Sequence, residues 1–192
     1  VGNNLPMNET LSKLRAICRL IRVALHLAAG AATVLCAYPL LARRWRLAIK
    51  QRWSRQLLAM LGVELRVSGT NTAVMQVANH VSWLDIFAIN AVSPAAFVAK
   101  DDVRKWPLLG WMSEQSDTIY IRRGSRRAAH ETTRRLAACL VEGMNVAAFP
   151  EGTTSDGREV LPFHGALLQG AIMSGVAIQP VALSYQSGDG KV

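Results

Sequence analysis

Cysteine is scarce in this 192-residue chain: there are three, Cys18, Cys36 and Cys139, and they are scattered. An odd, dispersed set builds no disulfide framework, and no Cys/His spacing resembles a zinc site, so no metal is expected and a reduced, cytosol-facing protein is the simpler inference. Internal repeats and low-complexity segments are also missing. At this length one domain plus an appendage can bury a core without covalent help.

Acidic residues are scarce in one region only. Residues 1–55 carry ten Lys and Arg against Glu9 alone and so hold the whole net charge of +9, while the remaining 137 residues balance twelve bases with twelve acids. A nucleic-acid binder would carry such an excess on its folded body, interleaved with aromatics or a recognition motif, so nucleic acid is not an expected partner. Here the bases bracket an uncharged run of twenty residues, 23–42, close to the length of a bilayer core. Arg15, Arg19 and Arg22 precede it; Arg43, Arg44, Arg46 and Lys50 follow it. Cations on both sides set no orientation, and His26 and Pro39 interrupt a simple span. The run therefore reads as a spanning helix, as an interfacial or re-entrant helix with Trp45 and Trp53 at headgroup level, or as a buried core helix. A cleaved signal peptide fits poorly, because no small-residue cleavage pattern follows the run. Residues 1–58 are expected to form a membrane-anchoring helical region, with a second domain over 59–192.

Beyond residue 59 the pattern is that of an α/β domain. Residues 63–68 alternate as a strand, 69–72 form a turn, and 73–78 supply a second strand, so a first hairpin is expected. A helix follows over 84–91, a short buried strand over 95–99, and a helix over 101–113 broken near Trp106-Pro107. Residues 118–122 alternate as a strand. The amphipathic helix over 125–142 has Gly143 as its natural C-cap and leads into a short apolar strand over 145–149. A helix over 165–174 and a strand over 176–185 complete a mixed, largely parallel sheet flanked by helices, behind the membrane-associated N-terminal helical region.

The residues with most chemistry lie where the second strand gives way to a turn, Asn79-His80-Val81-Ser82-Trp83-Leu84-Asp85. On one continuous helix His80 and Asp85 would point about 140° apart, but across a corner the carboxylate can accept the imidazole N–H and leave the other nitrogen as a general base. The plainer alternative is a helix-capping acid beside a polar loop histidine. Three more segments put polar or strained residues at strand ends, the edge where α/β folds bind ligands: 119–123 with Arg122 and Arg123, 149–153 with Glu151, Gly152 and Thr153, and 178–181 with Pro180. An arginine there can grip a phosphate or carboxylate, and Gly152 admits close backbone approach.

Together and in this order, the four segments resemble the glycerolipid acyltransferase family, which includes the bacterial 1-acyl-glycerol-3-phosphate acyltransferases. The resemblance covers about residues 60–185. Asn79, His80 and Asp85 match the Asn-His-x4-Asp motif; Tyr120, Ile121 and Arg123 match the second motif; Phe149, Pro150, Glu151, Gly152 and Thr153 match the third, and Pro180 with its aliphatic neighbours the fourth. The resemblance implies transfer of a fatty acyl group from acyl-CoA or acyl carrier protein to a lysolipid hydroxyl, in phospholipid biosynthesis, with no cofactor. His80 would be the base and Asp85 its orienting partner, at the cytoplasmic membrane with the catalytic domain facing the cytoplasm. Arg123 would hold the acceptor's anionic head, and Asn79, Glu151, Gly152, Thr153 and Pro180 would shape the binding site.

One departure bears on the acceptor. The family's third motif often continues with arginine, and here Thr154 stands in that place, followed by Ser155-Asp156-Gly157. The first expectation is 1-acyl-glycerol-3-phosphate, with Arg122, Arg126 or Arg158 supplying the missing cation. The string FPEGTTSDG also looks like that of members acylating lyso-ornithine lipid. A lipid or thioester hydrolase is the alternative from another class; Ser82 invites a Ser-His-Asp triad but has no Gly-x-Ser-x-Gly elbow. Relatives commonly continue beyond the fourth motif, so the chain is expected to be either a short member or C-terminally incomplete.

Overall fold

The computed structural model describes residues 5–70, 74–107, 109–121 and 126–186. Arg122, Arg123, the turn residues Asn71 and Thr72, Ser125 and the C-terminal residues 187–192 lie outside the described residues, as does the side chain of Arg126.

Two long helices open the chain. Helix α1, Leu5–Cys36, extends well upstream of the apolar run and through its arginines. At 1.5 Å per residue it is about 48 Å long, more than the thickness of a bilayer core. Within it and the short 3-10 turn Tyr38–Leu40, where Pro39 reverses the chain, Glu9–Leu40 is long and apolar enough to cross a membrane, and only 11% of its most apolar window is buried. Helix α2, Arg43–Leu61, returns antiparallel and ends at Gly62 in the left-handed conformation, φ 79°. The two are locked by one aromatic pair. His26 stacks on Trp53 with centroids 4.6 Å apart; His26 Nε2 lies 3.1 Å from the Trp53 carbonyl, and Trp53 Nε1 donates to the His26 carbonyl at 3.2 Å. A Cβ at Gly30 would come within 2.6 Å of Trp53 Nε1, so glycine is what lets the indole lie against α1.

The α/β domain alternates β1 (Met75–Ala78), α3 (Leu84–Val92), β2 (Ala96–Lys100), α4 (Leu109–Glu114), β3 (Ile119–Ile121), α5 (Arg126–Val141), β4 (Val146–Ala148), α6 (Gln169–Ser174) and β5 (Ile178–Val181). The strands form one sheet, in the order β3-β2-β4-β1-β5, and every pairing among them is parallel. Alternation along the strands divides the core. Met75, Val77, Val146 and Ala148 face Leu136 and Leu140 of α5 and Ala171 of α6; Ala78, Phe97, Ala147 and Phe149 face Ile89 of α3. A Cβ at Gly170 would meet Leu136 at 2.6 Å, and its absence allows α6 to approach α5 closely.

Two expectations fail. Residues 63–68 form no strand, and the hairpin with it is absent, because β1 has β4 on one edge and β5 on the other and no edge remains to pair. The alternating segment joins no sheet, with Leu65 38% and Val67 60% exposed and Arg66 donating to Glu64 at 2.9 Å. The last strand is also shorter than expected, ending at Val181 opposite Ala78, the last residue of β1. The break at Trp106-Pro107 falls where the sequence places it, between a 3-10 turn over Asp101–Lys105 and α4.

Helix α2 packs on α3 and is tied to its end by side chains. Gln51 Nε2 donates to the carbonyls of Ala91 and Val92, and Arg55 Nε to that of Ala91 at 2.7 Å, satisfying the orphan carbonyls of the last turn. Lys50 Nζ reaches further, to Ala95 O at 3.1 Å and Ser116 O at 3.2 Å, and burial pushes its pKa down to about 8.

Candidate active site

The connections leaving β1 and β4 depart towards opposite sides of the sheet, and a crevice at their C-terminal ends is where such a sheet binds ligands. His80 stands there, on the turn after β1; Asp85 lies in the first turn of α3. They meet across the corner. His80 Nδ1 and Asp85 Oδ2 are 2.8 Å apart, and the same oxygen accepts the backbone N–H groups of Val81 at 2.7 Å and Ser82 at 3.0 Å. One carboxylate thus holds both the turn before α3 and the histidine. Its other oxygen, Oδ1, accepts the phenol hydroxyl of Tyr185.

Asp85 is fully buried, which by itself would favour the neutral acid. The donors outweigh that penalty: His80, Tyr185, Ser82 and Val81 together hold its carboxyl below the usual range. An ionised carboxylate can only accept, so Nδ1 carries the imidazole proton and Nε2 offers its lone pair. The ring is fixed on its face as well, stacked on Phe149 at 4.1 Å with planes 12° apart, and Phe149 stacks in turn on Phe97. Among the described residues Nε2 has no hydrogen-bond partner.

The segment after β4 closes the corner from the other side. Glu151, 4% exposed, accepts the His80 backbone N–H with Oε1 at 3.0 Å, while its Oε2 is buried with no partner. Ser155 N donates to the His80 carbonyl at 2.8 Å, so both backbone groups of His80 are held by one loop. That loop can turn because Gly152 adopts φ 68°, where a Cβ would sit 3.2 Å from the His164 ring. Asn79 braces the corner against the chain after β5: its Nδ2 donates to Leu183 O at 2.9 Å, and Leu183 N donates to its Oδ1 at 2.7 Å.

Asn79, His80, Asp85, Glu151 and Gly152 therefore come together as a single site. Thr153 and Thr154 are exposed beside it, and Pro180 is exposed in the edge strand β5, paired with Val77. Tyr120 lies in the outer strand β3 at the opposite edge of the sheet from β5, its hydroxyl bonded to Ser113 and its ring beneath the Arg104 guanidinium at 4.9 Å. Ser82 Oγ accepts the Leu84 N–H at 3.3 Å, at the start of α3, and makes no bond to His80. Tyr185 and Leu183 are the site residues that sequence reasoning missed: they lie about a hundred residues from their partners, and no local pattern announces such a contact.

The family model described as Acyltransferase matches residues 63–184. The chain belongs to the acyltransferase family. It is 46% identical over 136 residues, 70% of this chain and 52% of the relative, to a lyso-ornithine lipid O-acyltransferase from Pseudomonas aeruginosa. It is 43% identical over 141 residues, 71% of this chain and 55% of the relative, to a 1-acyl-sn-glycerol-3-phosphate acyltransferase from Neisseria meningitidis. The chain thus spans about half the length of these curated relatives. The crystal structure of the 1-acyl-sn-glycerophosphate (LPA) acyltransferase PlsC from Thermotoga maritima superposes with a TM-score of 0.63 at 27% identity, covering 85% of this chain and 73% of that one. The parallel five-stranded sheet flanked by helices is therefore the fold of this acyltransferase family.

Proposed function

We propose that this protein is an O-acyltransferase that moves a fatty acyl group from a thioester, acyl-CoA or acyl carrier protein, to the hydroxyl of a lysolipid. The observation that carries the reading is the His80 ring, fixed by Asp85 at 2.8 Å with Nε2 left to take a proton. As the acceptor hydroxyl attacks the thioester carbonyl, Nε2 removes its proton and the C–O bond forms. The tetrahedral intermediate then collapses, the C–S bond breaks, and the departing thiolate recovers the proton from the imidazolium. Asp85 stabilises that transient cation and holds the tautomer. No enzyme nucleophile is needed, and Ser82 Oγ makes no bond to His80 that would activate it.

Residues 1–58 serve as the membrane-anchoring region and 59–192 as the acyltransferase domain. Helix α1 lies in or across the cytoplasmic membrane, with the catalytic domain facing the cytoplasm and its lipid substrate. Arg123 grips the acceptor's head, Glu151 and Gly152 shape the pocket around it, and Asn79, Thr153 and Pro180 complete the binding region.

Two acceptors have a specific observation behind them. The matched motifs favour 1-acyl-glycerol-3-phosphate, as in the meningococcal relative's name. Thr154, where an arginine would meet a phosphate, favours lyso-ornithine lipid, as in the name of the Pseudomonas relative. An assay of lysolipid-dependent thiol release with both acceptors decides. Release only with lyso-ornithine lipid makes Thr154 a specificity residue, and Thr154→Arg is then expected to raise activity on lysophosphatidate. Release unaffected by any acceptor would overturn transfer in favour of hydrolysis.

A further inference from the structure

We propose that Tyr185 is a positioning residue for the catalytic pair: its hydroxyl, donated to Asp85 Oδ1, holds the carboxylate in the orientation from which Oδ2 receives His80. This rests on the reading of His80 as the base. The two carboxylate oxygens are unequally provided for. Oδ2 has three donors, His80 Nδ1 and the N–H groups of Val81 and Ser82, whereas Tyr185 is the donor to Oδ1. Asp85 has no exposed surface, so without the phenol Oδ1 would be an ionised oxygen out of reach of bulk water. The carboxylate would then gain by turning towards another donor, and the His80 bond would lengthen or break.

The chain delivers Tyr185 by a rigid route. The paired bonds between Asn79 and Leu183 fix the chain at 183, two residues before Tyr185. Leu183 also packs against the core cluster of Ala78, Phe97 and Phe149. Asn79, the first residue of the histidine motif, thus has a task that explains its place: it anchors the segment that carries the tyrosine. Burial, and then the carboxylate beside it, push the Tyr185 phenol well above its ordinary pKa, so it remains a donor across the working range. Among the described residues the ionisable groups nearest the corner are Glu151, on the His80 backbone N–H, His164, behind Gly152, and Asp156, beside Ser155 and paired with Arg158. None bonds Asp85.

The test is Tyr185→Phe in the full chain, purified in detergent beside His80→Ala, with kcat and KM for lysolipid and thioester followed from about pH 5.5 to 9. Loss of a charge-assisted bond to Asp85 should lower kcat about tenfold or more with KM nearly unchanged. With the phenol gone the carboxylate turns away from the ring and stabilises the imidazolium less, so the acid limb of the rate profile should move to lower pH. The limb's position does not depend on how much of the variant folds, so a tyrosine that merely supported folding would reduce yield and leave the limb in place. A Tyr185→Phe rate within about twofold of the parent and an unmoved limb, with His80→Ala inactive, would overturn the role of the tyrosine alone. Activity surviving in His80→Ala would instead overturn the base, and the inference with it.

Discussion

The corner after β1 and the helical hairpin before it are both assembled from distant parts of the chain, but by different physics. At the corner, polar groups from three segments converge on one buried carboxylate and one imidazole, and each bond has a direction. In the hairpin, two reciprocal hydrogen bonds between His26 and Trp53 lie within a flat ring stack that closes only against the bare Cα of Gly30, so that space decides whether those bonds form. A site held by directed bonds should fail when an atom changes character at constant shape. A junction held by close approach should fail when volume is added at constant chemistry.

The sharpest break of that contrast is at the pair itself. His80→Ala should lower kcat/KM by about 10²–10⁴, and Asp85→Asn, nearly the same in shape, should cost almost as much. Because the two act as a unit, the double variant should be little worse than either single one, measured as acyl transfer on detergent-solubilised protein. If Asp85→Asn were as active as the parent, shape would suffice at the corner and the contrast would collapse.

Adding volume tests the hairpin. Gly30→Leu places atoms where the Trp53 indole lies, and overpacking of this kind should destabilise by about 1–3 kcal/mol, read from thermal unfolding in detergent. Gly30→Ala should cost less, since a single methyl displaces the indole by a smaller amount. Both should leave the acid limb of the rate profile where it is, because no atom of the corner is touched.

The smallest effect belongs to the junction between the regions, where Lys50 combines direction and burial. Its folded pKa of about 8 lies below the unfolded value of about 10.5, so between these limits the unfolded chain binds more protons than the folded one. Stability should therefore rise as pH increases through that window. Lys50→Met should flatten the rise, seen as a smaller gain in Tm between pH 8 and 10 than in the parent.

How far the sequence foretold each region follows from the same contrast. The strands around 96–100 and 146–148, and the amphipathic helix ending at Gly143, were readable because their signals are local: apolar runs, a 3.6 period, and a glycine that adopts φ 73°. The pairing of His80 with Asp85 was readable because five residues across a turn limit where two side chains can go. Residues 63–68 misled because alternation reports a half-buried pattern, whereas a strand also needs a free edge, and β1 has none. Tyr185 and the bonds joining Asn79 to Leu183 lie beyond any window of the sequence, since only the register of β5 against β1 brings them to the corner.

That register has a consequence in time. Synthesis proceeds at about 5–20 residues per second, so β1 emerges roughly 5–20 s before the hundred later residues that supply β5 and Tyr185. During that interval the histidine and its acid exist without their last brace, and the edge of β1 that takes β5 stays open. The α1–α2 hairpin, by contrast, is already complete. The helical hairpin can therefore form first, and the corner acquires its last donor only afterwards.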